Sequence, residues 1–401
     1  MTRKLLFFIA DGMGDYPLQE LEGRTPLEAA ETPNMDRLAS LGTLGLCRSI
    51  PRGMDAGSDI ANMSLLGFNP AKYHTGRGPI EAAAQGLPCE NTDLIYRLNL
   101  CTVSEFSAQG VMLDHSGGHI SGEDGAFLIQ RLQEKLRIDD MVISPGFQYR
   151  HLLIQKAGSL GLENDLDISP PHDLINKHLD RDLARFDRSR PLSNLVYQGA
   201  RLLRDMDNPT RVNAVWPWGQ GKPLSLPDYQ KHFGYRGAVV SAVDLIKGLG
   251  RAAGMTVPDI PGATGLLNTD YQAKCETARE LLEKNDFLYL HLEAPDECGH
   301  TGNIKDKIEA IRRFDHLILG PLLESVEEYR AGCLIGCDHL TPIVKQTHTH
   351  DPVPFLFYDP LRPNRSGASG FSEKTAGEAS LLIDPGHDLL PCLFRKMKAV
   401  S

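Results

Sequence analysis

Long apolar runs are missing from this sequence, and so is the CxxC spacing of cysteines. The apolar stretch before Asp11 has six residues, and no stretch reaches the roughly 18 that a membrane span needs, so we expect neither a span nor a signal-peptide core. The eight cysteines include no CxxC pair, which favours reduced and mostly buried thiols. We therefore expect a cytoplasmic protein.

Positive charge is also in short supply. Lysine and arginine number 42 against 52 acidic residues, so the net charge is −10, which argues against general binding to nucleic acid or to an anionic membrane. An acidic protein can still bind an anionic substrate through a local basic pocket or a metal. The glycine-rich stretch WPWGQGKP (216–223) lacks the GxxxxGK[ST] spacing of a nucleotide-binding P-loop.

Three continuous apolar runs predict strands that are buried on both faces of a sheet: residues 4–10, 286–292 and 332–338. Helical patterns accompany them, at 32–42 with Thr32 as the cap and at 305–323. This alternation predicts an α/β fold with a mainly parallel sheet.

The middle of the chain has a different character, with several short alternating segments and many prolines. We predict a smaller inserted α+β domain over residues 86–233. The first domain is then discontinuous and consists of residues 1–85 and 234–401.

Acidic and imidazole side chains follow all three apolar runs. The carboxyl ends of parallel strands meet at one edge of a sheet, so these groups can gather there. Mixed carboxylate and imidazole sets suit Mn²⁺ or Zn²⁺, and two such ions can hold a phosphoryl group. The residues concerned are Asp11, Asp296, His300, Asp338 and His339, with His348 or His350 a little further on.

Simpler interpretations compete with a metal site. A lone aspartate at a strand end is often a turn or cap residue, and Asp296 with His300 could be a surface pair one helical turn apart. Ser58, in GSDIANMS (57–64), stands where a helix cap is common and has no neighbouring histidine to activate it. The pattern alone leaves both interpretations of these residues open.

The chain resembles the archaeal-type cofactor-independent phosphoglycerate mutases of the alkaline phosphatase superfamily. The similarity spans nearly the whole chain in family order and rests on these stretches: ADGMGD (10–15), TPLEAAETPNMDRLA (25–39), GSD (57–59), YHTGRGPIEAA (73–83), DHSGGHIS (114–121), EAPDECGHTG (293–302), DHLTP (338–342) and HTHDPVPF (348–355).

The resemblance implies an alkaline-phosphatase-like, two-domain enzyme that acts on a small phosphorylated metabolite. It implies two divalent metals, most simply Mn²⁺ with Zn²⁺, Co²⁺ or Mg²⁺ as alternatives, and a phosphoserine formed at Ser58. One metal would be held by Asp11, Ser58, Asp338 and His339, and the other by Asp296, His300 and His348. His350 falls outside the family pattern.

The resemblance also implies that the inserted domain supplies most of the substrate contacts. Arginines are good candidates there, since their forks fit carboxylate and phosphate. Arg77 and His119 are the candidates for direct roles in catalysis beside Ser58, with His119 as a proton carrier. The wider set of candidate substrate-binding residues is Arg77, His115, His119, Arg150, Arg211 and Lys247.

Asn62 departs from the family, which commonly has histidine at this position. That departure leaves two alternatives to a mutase. One is a homoserine kinase-like phosphotransferase from a branch of the same family, and the other is a metal-binding regulatory protein that has lost catalysis.

Overall fold

The computed structural model describes residues 3–136, 138 and 140–398. Its strands are β1 Leu5–Ala10, β2 Thr43–Cys47, β3 Leu94–Val103, β4 Met112–Asp114, β5 Met141–Phe147, β6 Arg150–Gln155, β7 Ala214–Gly221, β8 Gly237–Val240, β9 Phe287–Leu292, β10 Gly332–Gly336, β11 Val353–Tyr358 and β12 Leu382–Ile383.

The helices are α1 Pro26–Ala29, α2 Pro33–Leu41, α3 Ser58–Leu65, α4 Pro70–Tyr73, α5 Arg77–Gln85, α6 Gly122–Lys135, α7 Asp180–Phe186, α8 Arg190–Asp205, α9 Tyr229–Phe233, α10 Asp244–Ala252, α11 Tyr271–Lys284, α12 Ala294–His300, α13 Ile304–Arg313, α14 Gly320–Glu328, α15 Glu373–Glu378 and α16 Leu389–Lys398. A π-helical segment, Phe314–Leu319, joins α13 to α14. None of the described helices is both long and apolar enough to cross a membrane.

The chain divides into two compact units, one formed by residues 1–74 and 225–401 and the other by residues 75–224. The domain limits predicted from the sequence stay a prediction. The first unit is built on a seven-stranded sheet in the order β12-β2-β11-β10-β1-β9-β8. Only β11 runs antiparallel to its neighbours, so the predicted fold class, a mainly parallel α/β sheet, is confirmed.

The three apolar runs of the sequence form adjacent strands at the centre of this sheet. β1 lies between β9 and β10 and is parallel to both, and every residue of the three strands is buried. Ile9 is in register with His291 on one side and with Gly336 on the other. All three strands therefore end at the same edge, as the sequence predicted.

Thr32 occupies the cap position of α2, and residues 305–323 are helical, but two details differ from the predictions. The Thr32 side chain makes no capping hydrogen bond to α2, whose first N–H groups are instead bound by the distant carboxylate of Asp315. The helix predicted over 305–323 is interrupted by the π-helical segment that contains Asp315. The apolar spacing of this segment fits a helix but does not reveal the local change in hydrogen bonding.

The second unit has its own antiparallel sheet, in the order β4-β3-β6-β5 with β7 on the other side of β3. An apolar core formed by residues of this unit alone lies around the sheet and helices α6 and α8. Where the chain enters and leaves the unit the two segments touch, because a Cβ placed on Gly221 would lie 1.6 Å from the Thr75 carbonyl oxygen. The unit thus has its own core and closely spaced ends.

Candidate metal centre

The ends of β1 and β10 bring three side chains together, which we call the first group: Asp11, Asp338 and His339. Each offers a ligand atom, these atoms lie within 4.8 Å of one another, and all three residues are buried. His339 Nε2 is 3.5 Å from Asp11 Oδ1 and 3.4 Å from Asp338 Oδ2. The adjacency of the two parallel strands, predicted from their apolar sequences, is what places these residues side by side.

Ser58 lies beside the first group, with its Oγ 3.0 Å from His339 Nε2. It is the first residue of α3 rather than the cap, because Gly57 occupies the cap position. The interpretation of Ser58 as a helix cap is therefore wrong. Ser64, at the other end of the same helix, is buried, and its hydroxyl has no hydrogen-bond partner among the described residues.

A second group consists of Asp296, His300 and His348, whose ligand atoms also lie within 4.8 Å of one another. Asp296 and His300 are one turn apart on α12, and His348 comes from the loop before β11. The two imidazole Nε2 atoms are 2.9 Å apart, and His300 Nε2 is 3.2 Å from Asp296 Oδ2. The two groups adjoin, because the rings of His339 and His348 stack with their centroids 3.8 Å apart.

His350 takes no part in either group. Its Nε2 lies 2.9 Å from the carbonyl oxygen of Met54, at an exposed position. This agrees with the family pattern, in which His348 and not His350 is the matching histidine.

Hydrogen bonds at Nδ1 orient the rings of His300 and His339, so that the Nε2 of each ring faces its group. His300 Nδ1 is 3.0 Å from the Gln346 carbonyl oxygen, which can only accept, so Nδ1 carries the proton when the ring is neutral. Thr341 donates its hydroxyl hydrogen to Asp296 and so can only accept from His339 Nδ1, which is 3.2 Å away. In the neutral form of both rings Nε2 is therefore unprotonated, which is the arrangement that metal-ligating histidines adopt. The hydrogen bond to Asp296 raises the pKa of His300 to about 9, so metal binding by this ring would release a proton.

The two carboxylates of the first group lie close together in a buried setting, and one oxygen of Asp11 has no partner among the described residues. Asp11 Oδ1 is buried and accepts no hydrogen bond from the described residues. Burial above all, and then the nearby carboxylates of Asp338 and Asp296, raise the pKa of Asp11 well above its usual range. A dication between these oxygens would relieve both the repulsion and the missing hydrogen bond, so the residues present fit a divalent metal.

Gly12 gives these side chains room to approach. It has a φ of +59°, and a Cβ at this position would lie 2.6 Å from both Asp296 Oδ1 and Thr341 Oγ1. Any larger residue after Asp11 would therefore displace the second group.

His291, buried in β9, was not among the predicted site residues although its Nε2 lies 2.9 Å from Asp11 Oδ2. Burial, the largest cause, lowers the pKa of His291 to about 4, so the ring is neutral. Its signal in the sequence was an imidazole in the otherwise apolar run FLYLHL.

The second unit carries cationic side chains around aromatic rings, which we call the basic cluster. His115 lies at the centre, with ring centroids 6.4 Å from His119, 5.7 Å from Tyr149 and 6.1 Å from His172. The Arg150 guanidinium lies 5.5 Å from the centroid of the Tyr149 ring. The Arg97 guanidinium lies 4.5 Å from the centroid of the Trp218 ring. The members are Arg97, His115, His119, Tyr149, Arg150, His172 and Trp218.

Burial above all, and then the neighbouring arginines, disfavour protonation of His115 and His172 in the basic cluster. Burial lowers the pKa of His172 to about 4, and the charges of Arg77 and Arg97 act in the same direction. The side chain of Arg97 also forms an ion pair with Glu81 at 3.1 Å. Arg97 and His172 were not predicted; Arg97 had a signal, as a lone charge in the apolar strand LIYRLNLCTV, whereas His172 in SPPHD had none.

Two predicted substrate residues do not join these clusters. The Lys247 ammonium, in the first unit, is paired with Asp244 at 3.1 Å and Asp259 at 3.3 Å. Arg211, in the second unit, is exposed, and its guanidinium forms no hydrogen bond or ion pair within the described part of the chain. The roles of both residues stay predictions.

Comparison with known proteins agrees with this arrangement. The Metalloenzyme superfamily model matches residues 3–383. The 2,3-bisphosphoglycerate-independent phosphoglycerate mutase of Methanothrix thermoacetophila is 40% identical over 408 residues, covering 98% of this chain and 99% of that protein. The protein of the same name from Methanosarcina barkeri is 39% identical over 402 residues, with 98% and 99% covered.

A solved structure is also similar over its whole length. The PH0037 protein of Pyrococcus horikoshii is 30% identical, with a TM-score of 0.82 and coverage of 99% of this chain and 98% of that chain. Both the sequence and the fold thus match along the entire molecule, as the motif resemblance implied. The chain belongs to the Metalloenzyme superfamily and, within it, to the family of 2,3-bisphosphoglycerate-independent phosphoglycerate mutases.

Proposed function

We propose that this protein interconverts 3-phosphoglycerate and 2-phosphoglycerate without bisphosphoglycerate, and that Ser58 carries the phosphoryl group between the two positions. The observation that carries the proposal is the location of Ser58, whose Oγ lies 3.0 Å from His339 Nε2 beside the buried carboxylates of the first group. The relatives that bear the mutase name match over nearly the whole chain, which supports the same reaction.

In this proposal Ser58 joins the first group in holding one divalent ion, and the second group holds another. The mixture of carboxylates and imidazoles favours Mn²⁺, with Zn²⁺, Co²⁺ and Mg²⁺ as alternatives. A bound dication lowers the pKa of the serine hydroxyl and offsets the negative charge of the phosphoryl oxygens. No histidine base is then needed beside Ser58.

The reaction consists of two phosphoryl transfers, one to Ser58 and one from it. In the first, Ser58 Oγ bonds to phosphorus while the bond from phosphorus to the 3-oxygen breaks; the serine loses its proton and the 3-oxygen gains one. In the second, the 2-oxygen bonds to phosphorus while the bond from phosphorus to Oγ breaks; the 2-hydroxyl loses its proton and the serine oxygen gains one. We propose His119 as the group that exchanges protons with the glycerate hydroxyls.

The start of α3 suits a phosphorylated serine. The first N–H groups of a helix have no partner within the helix and attract an anion. Gly57, at the cap position, has no side chain that would compete for them with phosphoryl oxygens on Ser58. A serine, threonine or aspartate at position 57 would compete for the same N–H groups.

The basic cluster, together with Arg77, supplies the positive charge that a small phosphorylated acid needs. We propose that it binds acidic groups of the phosphoglycerate. Asn62, the residue that departs from the family, is buried and donates a hydrogen bond to Asp338.

The reaction is tested directly by supplying Mn²⁺-loaded protein with 3-phosphoglycerate alone and following the 2-isomer. We expect conversion without bisphosphoglycerate, and mass spectrometry of quenched protein should find one phosphoryl group on Ser58. Ser58→Ala should abolish both signals. Ser64→Ala, in the same helix, should keep both and serves as the matched control.

Other outcomes identify the alternatives. Failure of the wild-type protein to convert 3-phosphoglycerate with Mn²⁺, Co²⁺ or Zn²⁺ would remove the mutase proposal. Formation of phosphohomoserine from ATP and homoserine would point to the phosphotransferase instead. Metal binding with no phosphoserine from any donor would indicate a protein without catalysis.

A further inference from the structure

Asn62 is fully buried one turn after Ser58, and its amide is bonded on both sides. Nδ2 donates to the Ser58 carbonyl oxygen at 2.8 Å and to Asp338 Oδ2 at 2.7 Å. Oδ1 accepts from the Tyr289 hydroxyl at 2.5 Å. One side chain therefore connects the peptide of the proposed nucleophile, a carboxylate of the first group and the central sheet.

This amide has only one acceptable orientation. If it were flipped, Oδ1 would face the Ser58 carbonyl and the Asp338 carboxylate, which both only accept hydrogen bonds when the carboxylate is ionised. Tyr289 favours the observed orientation because its hydroxyl donates to Oδ1. Burial above all, and then the charges of Asp338 and Asp11, raise the pKa of Tyr289 well above its usual range, so the phenol keeps its proton.

Tyr289 is itself held firmly in the sheet. It lies within β9, in register with Phe7 of β1, and the two rings meet edge to face with centroids 5.3 Å apart. The phenol thus has little freedom to follow a displaced amide. Asp338 uses this support at one oxygen: Oδ2 accepts from Asn62, whereas Oδ1 accepts from the backbone N–H groups of Gly12 and His339.

We propose that Asn62 is a positioning residue that fixes the Asp338 carboxylate for metal binding by the first group, and that Tyr289 acts on the same carboxylate through the orientation of the Asn62 amide. The inference rests on the proposed function only in requiring that the first group binds a metal. It predicts an effect on one of the two groups, because Asp296, His300 and His348 make no hydrogen bond to Asn62 or Tyr289 within the described residues.

The test is a calorimetric titration of the full-length protein with Mn²⁺ and with Co²⁺, resolving the two binding events. Asn62→Leu should weaken the event that belongs to the first group by about 10- to 100-fold, the usual effect of removing a partner of a metal ligand. Tyr289→Phe should weaken the same event by a smaller factor. Neither variant should alter the event that belongs to the second group, which Asp296→Ala identifies.

The double variant separates positioning from general damage. Because Tyr289 acts only through Asn62, adding Tyr289→Phe to Asn62→Leu should cause no further loss. Tyr229→Phe is the matched control: that phenol is also fully buried, but its hydroxyl has no hydrogen-bond partner in the described chain, so both affinities should stay unchanged. The Co²⁺ absorption bands of the first group should change in Asn62→Leu and Tyr289→Phe and persist in Tyr229→Phe.

Several results would overturn the inference. They are equal weakening of both binding events, losses that multiply in the double variant, unchanged affinity in Tyr289→Phe, and no metal binding at all by the first group. Should Asn62→Leu fail to fold, Tyr289→Phe keeps the ring in place and decides by itself. A wild-type protein that shows the expected metal pattern but converts no phosphoglycerate would refute the proposed function and leave this inference standing.

Discussion

A buried ion pair connects two loops that carry the first group. Lys307 is fully buried, and its Nζ lies 2.7 Å from Asp15 Oδ2, in the loop that follows Asp11. The same ammonium donates to the carbonyl oxygen of Thr341, in the loop that follows Asp338, at 2.8 Å. Asp15 in turn accepts from the backbone N–H of Ile343. The pair therefore helps to set the spacing between the first group's two loops.

Removing one partner of this pair should be costly, because it leaves a buried charge without compensation. We expect Lys307→Met to lower the free energy of unfolding by about 3–5 kcal/mol, measured by urea denaturation. Adding Asp15→Asn should recover part of the loss. Lys305→Met changes an exposed lysine of the same helix and should stay within about 0.5 kcal/mol of the wild type. If Lys307→Met also stayed within about 0.5 kcal/mol of the wild type, the ion pair would contribute little to stability.

At the scale of elements, helix α2 takes its cap from a distant part of the chain. Asp315 Oδ1 accepts from the Met35 N–H at 2.8 Å, and Oδ2 accepts from the Asn34 N–H at 3.2 Å. Asp315 belongs to the π-helical segment, and such segments redirect side chains because they insert an extra residue in a turn. The irregularity in one helix thus supplies the hydrogen bonds that the start of another helix needs.

Asp315→Ala should therefore destabilise the protein more than loss of the residue that the sequence suggested as the cap. We expect a decrease of about 1–3 kcal/mol in the free energy of unfolding, because two helix N–H groups lose their acceptor. Thr32→Ala, the control, should cost markedly less, since Thr32 makes no capping bond. Equal losses in the two variants, compared by chemical denaturation, would contradict this assignment of the cap.

A site residue could be predicted where its signal lies in the neighbouring sequence, and not where its role depends on distant residues. Asp11 and Asp338 were predictable because each follows an apolar run, and parallel strands end at one edge. The cap from Asp315 was not, because 280 residues separate it from Met35. Asn62 was judged only by its difference from the family, and its place behind Asp338 depends on β9, which packs there only in the folded state.

At the scale of the whole molecule, stability should depend on the protonation of Glu373. Its carboxylate accepts from the Asp15 N–H and the Thr25 hydroxyl, and burial, the largest cause, raises its pKa to about 7 from an ordinary value of 4.5. A raised pKa means that the folded state favours the protonated form. The stabilisation is complete below about pH 4.5 and is lost as the pH rises through 7.

Glu373→Gln keeps the shape of the side chain but cannot ionise. We expect the free energy of unfolding of this variant, relative to the wild type, to be higher at pH 8 than at pH 5 by about 1–3 kcal/mol. Denaturation curves at the two pH values measure the difference. Glu378→Gln, at an exposed position of the same helix, should show no such dependence. A pH-independent difference for Glu373→Gln would refute the prediction.

The second unit should fold by itself. It has its own apolar core, and its two chain ends touch near Thr75 and Gly221, so no long-range strain opposes its excision. We expect residues 75–224, expressed alone, to unfold cooperatively in a thermal scan with a near-ultraviolet signal from Trp216 and Trp218. A fragment that lacks this transition would show that the unit depends on the rest of the chain.

The parallel register of β1 with β10 limits how this protein can change in length. Successive residues of a strand face opposite sides of the sheet, so inserting one residue in β1 would reverse the facing of Asp11, whereas Asp338 would stay in place. Insertions in the surface loops leave that alternation untouched. We therefore expect length variation among the relatives of this chain to avoid β1, β9 and β10. It should fall in the loops at the amino ends of these strands, away from Asp11 and Asp338.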